Sequence, residues 1–281
     1  MSVRLTTLTE NTAGTNAMLA EHGLSFLVEV DGRRILLDTG QSFTATENAR
    51  TLGVNLADVD TIVLSHGHRD HTGGLREVLL EMTRGEREVP VYAHPAVWTA
   101  RYARRRGHRE RFSGMPHRRE DLEALGAVFH LSAEQVELAP GIMTTGEVPR
   151  VTPFEHVDEG LQVRDGDGWR QDQVPDDQAL LVKTRQGLVV VLGCAHSGIV
   201  NTLLHARQIT GENRVHAVVG GTHLHIAPEP QLVETVRALR EFGIRRLGVS
   251  HCTGLEVSVR LAQEFGEAFF FDNAGTVVEF A

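Results

Sequence analysis

The sequence predicts an α/β protein made of two similar β-sheet layers with helices on the outside, and three observations predict it. Apolar runs of strand length alternate with helical periodicity; a hairpin opens the first half and a second hairpin restarts the pattern near residue 178; and 281 residues with 41% apolar content can bury a sizeable core without staples. In order, strands are expected at about 3–9 and 24–38, the second broken by Asp31-Gly32, a type I′ hairpin signal. Helical spacing covers about 42–52, a strand 59–65, a helix starting near Thr72 as N-cap, and a strand at "VPVYAHP". The stretch 101–120 is expected to begin as a helix and pass into a loop at Gly107 or Gly114, and 152–178 reads as polar and irregular. Then "ALLVKTRQGLVVVLG" gives two runs about a turn at Gln186-Gly187, followed by helix 198–210, strand "VHAVVGG", helix 228–242, strand "RRLGVSH", helix 254–265 and strand "AFFFDNAGTVVEF". No repeat or linker divides the chain, so 1–281 reads as one domain with an Arg-rich helical or loop insertion at about 95–126.

A formal charge of -9 argues against a protein built to coat nucleic acid or an anionic membrane, and neither is expected as a partner. Two cysteines, Cys194 and Cys252, are too few for a disulfide framework. There is no charged segment followed by a long apolar stretch at the amino terminus and no run of about 18 apolar residues, so a cytoplasmic location is expected. The basic residues are Arg throughout except Lys183, and any Arg-rich stretch has to be discounted for that bias.

"LSHGHRDHTGG" places His66, His68, Asp70 and His71 directly after the apolar run 59–64. Residues two apart at an extended strand end project to one side, so His66 and His68 can share one metal, while the turn beyond aims Asp70 and His71 at a neighbouring point. Imidazole with carboxylate favours zinc, manganese or iron over calcium or magnesium. Two sites need more ligands, each from a strand end pointing the same way. "LGCAHSG" offers Cys194 and His196, "VGGTHLH" offers His223 and His225, and "VSHCTG" offers His251 and Cys252.

With these residues in view the chain resembles the metallo-β-lactamase superfamily, through His66-Gly67-His68-Arg69-Asp70-His71, "LLDTG" before it and "GGL" after it. "DDQALLVKT", "GCAHSGIVNTL", "GGTHL" and "SHCTG" are similar to the branch of archaeal dihydropterin ribofuranosylaminobenzene phosphate synthases and their bacterial relatives. The resemblance implies a four-layer αββα sandwich with the metals at one edge between the sheets. It implies His66 and His68 on the first metal, Asp70, His71 and His251 on the second, and Asp38 orienting a ligand imidazole. One departure stands out. Where many relatives carry a His before the restarted hairpin, this chain has the stretch Asp172–Asp177; His196 is the substitute expected to complete the first metal, with Asp176, Asp177 or Cys194 as alternative or orienting groups.

Two ions about 3.5 to 4 Å apart activate a shared water, so hydrolysis of a small ester or lactone, phosphorylated or not, is the first expectation. Asp70 would orient the nucleophile, and His223 would be a proton donor or a structural residue. His225 and the arginines Arg104, Arg105 and Arg106 are candidates for substrate contacts, the arginines at a rim that receives an anion. The two Trp are expected to serve packing ahead of a pterin pocket. Two other readings are a transferase condensing a dihydropterin diphosphate with an arylamine ribose phosphate, and a metal-containing sensor with no turnover. The partner is in each case a small molecule, with a homo-oligomer left open.

Overall fold

The computed structural model describes residues 1–83, 87–105 and 107–280. In the first half the chain forms β1 (Val3–Thr9), β2 (Ser25–Val30), β3 (Arg33–Leu37), α1 (Thr44–Thr51), β4 (Thr61–Val63), α2 (Arg69–Thr72), α3 (Leu75–Thr83) and β5 (Val89–Ala93). Next come β6 (Arg101–Ala103), β7 (Arg111–Phe112), α4 (Arg119–Glu123), β8 (Ala127–Leu131), β9 (Glu137–Ala139), β10 (Ile142–Thr144), β11 (Leu161–Asp165) and β12 (Gly168–Gln171). The restart supplies β13 (Ala179–Thr184), β14 (Gly187–Leu192), α5 (Ile199–Thr210), β15 (Val215–Gly221), α6 (Glu229–Phe242), β16 (Arg246–Ser250), α7 (Leu255–Phe265), β17 (Phe269–Phe271) and β18 (Val277–Phe280).

Two seven-stranded sheets result, in the orders β18-β1-β2-β3-β4-β5-β8 and β17-β16-β15-β14-β13-β10-β9, together with a four-stranded sheet β12-β11-β6-β7. The layering follows from side-chain alternation. Along β14, Leu188, Val190 and Leu192 pack with α5, α6 and α7, while Val189 and Val191 face Phe26, Val28 and Leu37 of the other sheet. A strand buried on both faces has no polar side, which is why "LVVVL" is continuous in sequence. On the far side Ala45 and Ala49 of α1 and Leu75, Val78 and Leu79 of α3 cover Leu36, Ile62 and Val91. The four layers are therefore α, β, β, α, as the sequence predicts.

The Asp31-Gly32 turn has positive φ at both residues (47° and 84°), the geometry a type I′ hairpin requires. Other expectations are corrected. Thr72 ends α2 and donates its hydroxyl to His68 O at 2.9 Å, and His68 is the N-cap residue; the tight turn at the ligand loop takes precedence over the hydroxyl cap. The turn of the second hairpin lies one residue earlier, with Gly187 already paired to Thr184. The Arg-rich stretch begins as strand β6, paired with β11 from within the "irregular" segment, and the β11–β12 hairpin completes the third sheet. The local helical spacing there is overridden by a partner about sixty residues away. Finally, "AFFFDNAGTVVEF" is two strands: β17 runs parallel to β16, and β18 crosses to pair antiparallel with β1 in the other sheet.

Candidate metal centre

The ligand loops leave the C-terminal ends of β3, β4, β14, β15 and β16 and meet at one edge of the sandwich, as parallel strands direct them to do. Backbone geometry marks the convergence. Asp38, Ala195, His223 and His251 all have φ between 52° and 60°, a region that costs non-glycine residues energy and gathers at functional sites.

Two triads form there. His66, His68 and His196 are buried and bring one nitrogen each together: His68 Nδ1 lies 3.1 Å and His66 Nε2 3.3 Å from His196 Nε2. In the second group His251 Nε2 lies 3.3 Å from Asp70 Oδ2 and 3.3 Å from His71 Nε2. Cys194 Sγ, 3.1 Å from His71 Nε2, groups with His66 and His71, one residue from each side, and so stands between the two clusters. Facing imidazole nitrogens at these distances have no proton arrangement that satisfies all of them, and the donor set of His, Asp and Cys suits zinc or a similar transition metal. The residues fit a pair of divalent ions.

The electrostatics of the two triads differ. Burial, with the neighbouring imidazoles, holds His66 and His196 well below the ordinary histidine value, and burial takes His68 down to about 3. Burial thus favours the neutral, metal-ligating form of all three rings. Burial would also lower His71, but the Asp38 carboxylate raises it to about 9. Burial would raise Asp70, yet hydrogen bonds from His22 and His251 hold it well below the usual carboxylate range.

The supporting groups are specific. Asp38 accepts from His71 Nδ1 at 2.7 Å and from Ser65 N and Oγ at 2.7 and 2.6 Å, and Ser65 Oγ lies 2.9 Å from His66 Nδ1. His251 Nδ1 donates to Asn11 Oδ1 at 2.8 Å, which leaves its Nε2 for the cluster. Asp176 and Asp177 join no ligand grouping. Asp176 accepts from Gly67 N at 2.7 Å and Asp177 from Ser197 N at 2.8 Å, so the oxygens proposed as alternative ligands hold the ligand loops instead.

A cavity of about 620 Å³ opens over the triads, lined by His68, Asp70, Cys194, His196 and His251 below and by Arg105, His108, Arg109, Arg111, Phe112 and Asp158 on the side of the third sheet. His223 also lines it, its ring centroid 4.2 Å from that of His196. Burial would lower His223, but Asp158, with its Oδ2 at 3.9 Å, and Cys252 raise it to about 9. His225 reaches the wall and donates Nδ1 to Cys252 O at 2.9 Å. Arg104 does not line the cavity: its guanidinium stacks on Trp169 at 5.0 Å, because alternation along the extended chain sends it to the other face from Arg105. Arg106 lies outside the described residues. Trp98 packs on Phe129 and Trp169 on Tyr102, neither at the cavity.

Sequence reasoning missed His22, whose Nε2 lies 3.2 Å from Asp70 Oδ2, as well as Asn11, Asp158 and Arg101. His22 and Asn11 sit in the polar stretch between β1 and β2 with no motif around them; only "HG" before a strand marks the place.

The fold places the chain among the αββα sandwich enzymes, and the two clusters are groupings that could hold a metal. The metallo-beta-lactamase superfamily profile matches residues 19–195, and the chain belongs to that superfamily. It is 34% identical to the 7,8-dihydropterin-6-methyl-4-(β-D-ribofuranosyl)-aminobenzene-5'-phosphate synthase of Methanocaldococcus jannaschii, with 99% of this chain and 97% of the relative aligned. A crystal structure of a metal-dependent hydrolase of the β-lactamase superfamily superposes with a TM-score of 0.84 at 28% identity over 99% of both chains. A diphosphatase of the PhnP family shares the fold, with a TM-score of 0.55 at 17% identity over 100% of this chain and 98% of that one.

Proposed function

We propose that the protein is a two-metal enzyme that breaks an ester-type bond in a small phosphorylated substrate, with zinc as the first metal and manganese or iron as alternatives. The observation that supports this most is the buried grouping of His66, His68 and His196, with His251 within 3.3 Å of both Asp70 and His71 beside it and Cys194 between the two. His66, His68 and His196 would hold one ion; Asp70, His71 and His251 the other, with Cys194 between. When bound, two such ions supply a water of lowered pKa and neutralise charge that develops on the substrate.

The chain's own residues do the rest. Asp70 keeps its carboxylate ionised across the neutral range and orients the attacking group by accepting a hydrogen bond. His223 is charged below about pH 9, has both ring nitrogens buried without a hydrogen-bond partner among the described residues, and can donate a proton to the leaving oxygen. Asp158 holds that imidazolium in place. Arg105, Arg109 and Arg111, with His225 also lining the cavity, receive the phosphoryl oxygens, Arg forks being suited to them. Two buried cysteines without a disulfide suit a reducing, cytoplasmic setting.

A second reading is favoured by the full-length likeness to a named synthase: diphosphate leaves a dihydropterin substrate and an arylamine ribose phosphate, not water, is the acceptor. Metal analysis combined with product analysis tests both. The purified protein should carry two ions per chain; release of diphosphate from a dihydropterin diphosphate only when the arylamine is present would select the synthase, and release in water alone the hydrolase. A protein that takes up no metal overturns the proposal, and one that is metal-loaded but inert toward a panel of phosphoesters, lactones and thioesters supports a sensor.

A further inference from the structure

Arg101 is the largest fully buried side chain among the described residues, 1% exposed. Its Nε donates to Asp172 Oδ2 at 2.7 Å and its Nη2 to Asp176 Oδ1 at 2.5 Å. The other oxygen of Asp176 accepts from Gly67 N, the peptide between His66 and His68. The guanidinium lies against that peptide: a Cβ on Gly67 would come within 2.6 Å of Nη1 and 2.2 Å of Val97 O. The backbone of Arg101 holds the next stretch of loop, its carbonyl accepting from Ser113 N at 2.9 Å while Ser113 O accepts from Arg69 N at 2.8 Å. The His66–Gly67 peptide is thus held by Asp176 and the His68–Arg69 peptide by Ser113, and both of these groups are tied to Arg101.

A buried ion pair adds little to stability over apolar side chains of the same volume, so stability alone does not account for a guanidinium here. Its geometry does. We propose that Arg101 and Asp176 are positioning residues that aim His66 and His68, and so set the affinity and geometry of the first metal site. This rests on the two-metal reading above. The second triad has other supports, Asp38 under His71 and Asn11 under His251, so the effect should be confined to the first site.

Zinc competition against a chromophoric chelator and the visible spectrum of the cobalt-loaded protein test this on the full chain. Arg101→Lys, which keeps the charge and loses the fork, and Asp176→Asn should each weaken one of the two zinc sites by about 10- to 100-fold, the range for losing a group that orients a ligand. The cobalt spectrum should change, and the other site should keep its affinity. Val236→Ala, a core change in α6, should lower the melting temperature with both affinities intact. Folded Arg101→Lys and Asp176→Asn proteins with wild-type affinities and spectrum overturn the inference, as does an equal loss in Val236→Ala. If both variants are insoluble, Asp172→Ala, which frees Arg101 Nε together with Val174 N, must weaken the same site, and an unchanged affinity there overturns it. A wild-type chain that binds no zinc would instead sink the two-metal reading.

Discussion

At the scale of single residues, Asp38 shows how one buried carboxylate serves two clusters. It accepts a hydrogen bond from His71 Nδ1 directly and reaches His66 through the Ser65 hydroxyl, leaving Nε2 of each ring directed at the ligand positions. Asp38→Ala should therefore cost both sites, about 10- to 100-fold in metal affinity or activity, measured by chelator competition and steady-state rates. His196→Ala removes a donor outright. The first site should then lose its ion, with metal content falling from two to one per chain and activity dropping more than the range for Asp38→Ala; retention of two ions would remove His196 from the ligand set. The pH dependence separates the triads. A metal must displace a proton from His71 below about pH 9, whereas His68 gives up its proton at about 3. Affinity at the second site should rise about tenfold per pH unit between 6.5 and 9 with one proton released per ion, and the first should stay flat, as calorimetry in buffers of different ionisation enthalpy would show. The motif residues were legible because four donors in six positions admit few other uses. Asp176 and Asp177 were not separable from ligands by type, since a carboxylate that holds a peptide N–H and one that holds a metal look alike in sequence.

At the scale of elements, legibility followed burial pattern. Strands such as β14, apolar on every residue, and the Asp31-Gly32 hairpin announce themselves, whereas β6, β7, β11 and β12 are short and mostly half-exposed and exist only because they pair with one another. The split of β17 from β18 was hidden for a different reason: both are apolar, and only the intervening polar "DNAG" marks the crossing between sheets. Asp272 stands at that crossing, fully buried, with Thr7 Oγ1 donating to it at 2.6 Å. Burial raises its carboxyl to about 7, above its unfolded value. The sign follows: the group costs nothing while protonated in both states, and stability is lost as pH rises from about 4 through about 7. Asp272→Asn should raise the melting temperature by several degrees at pH 8, at about 2 °C per kcal/mol for a chain of this size, and leave it nearly unchanged near pH 4. A gain that is the same at both pH values would show that ionisation is not the cause.

At the scale of the whole molecule, the two triads each draw on both sheets. His66, His68, Asp70 and His71 come from the first sheet's loop, and His196 and His251 from loops of the second, so each ion would bridge the sandwich at its open edge. The opposite faces of the sheets are already joined by the apolar layer of Phe26, Val28, Val189 and Val191, which needs no metal. Removal of the ions should therefore leave the sandwich folded and loosen the edge. Binding at about a thousand times the dissociation constant stabilises by about 4 kcal/mol per site. At about 2 °C per kcal/mol for a chain of this size, chelation should lower the melting temperature by roughly 8 °C for one site, with the far-ultraviolet circular dichroism unchanged at 25 °C and full recovery on adding zinc. Hydrogen exchange should place the loss of protection in the loops after β4, β14 and β16 and leave the centres of β2 and β14 protected. Global loss of protection on chelation would mean that the metals hold the fold itself, and the apolar layer would then be too weak to account for the pairing of the two sheets.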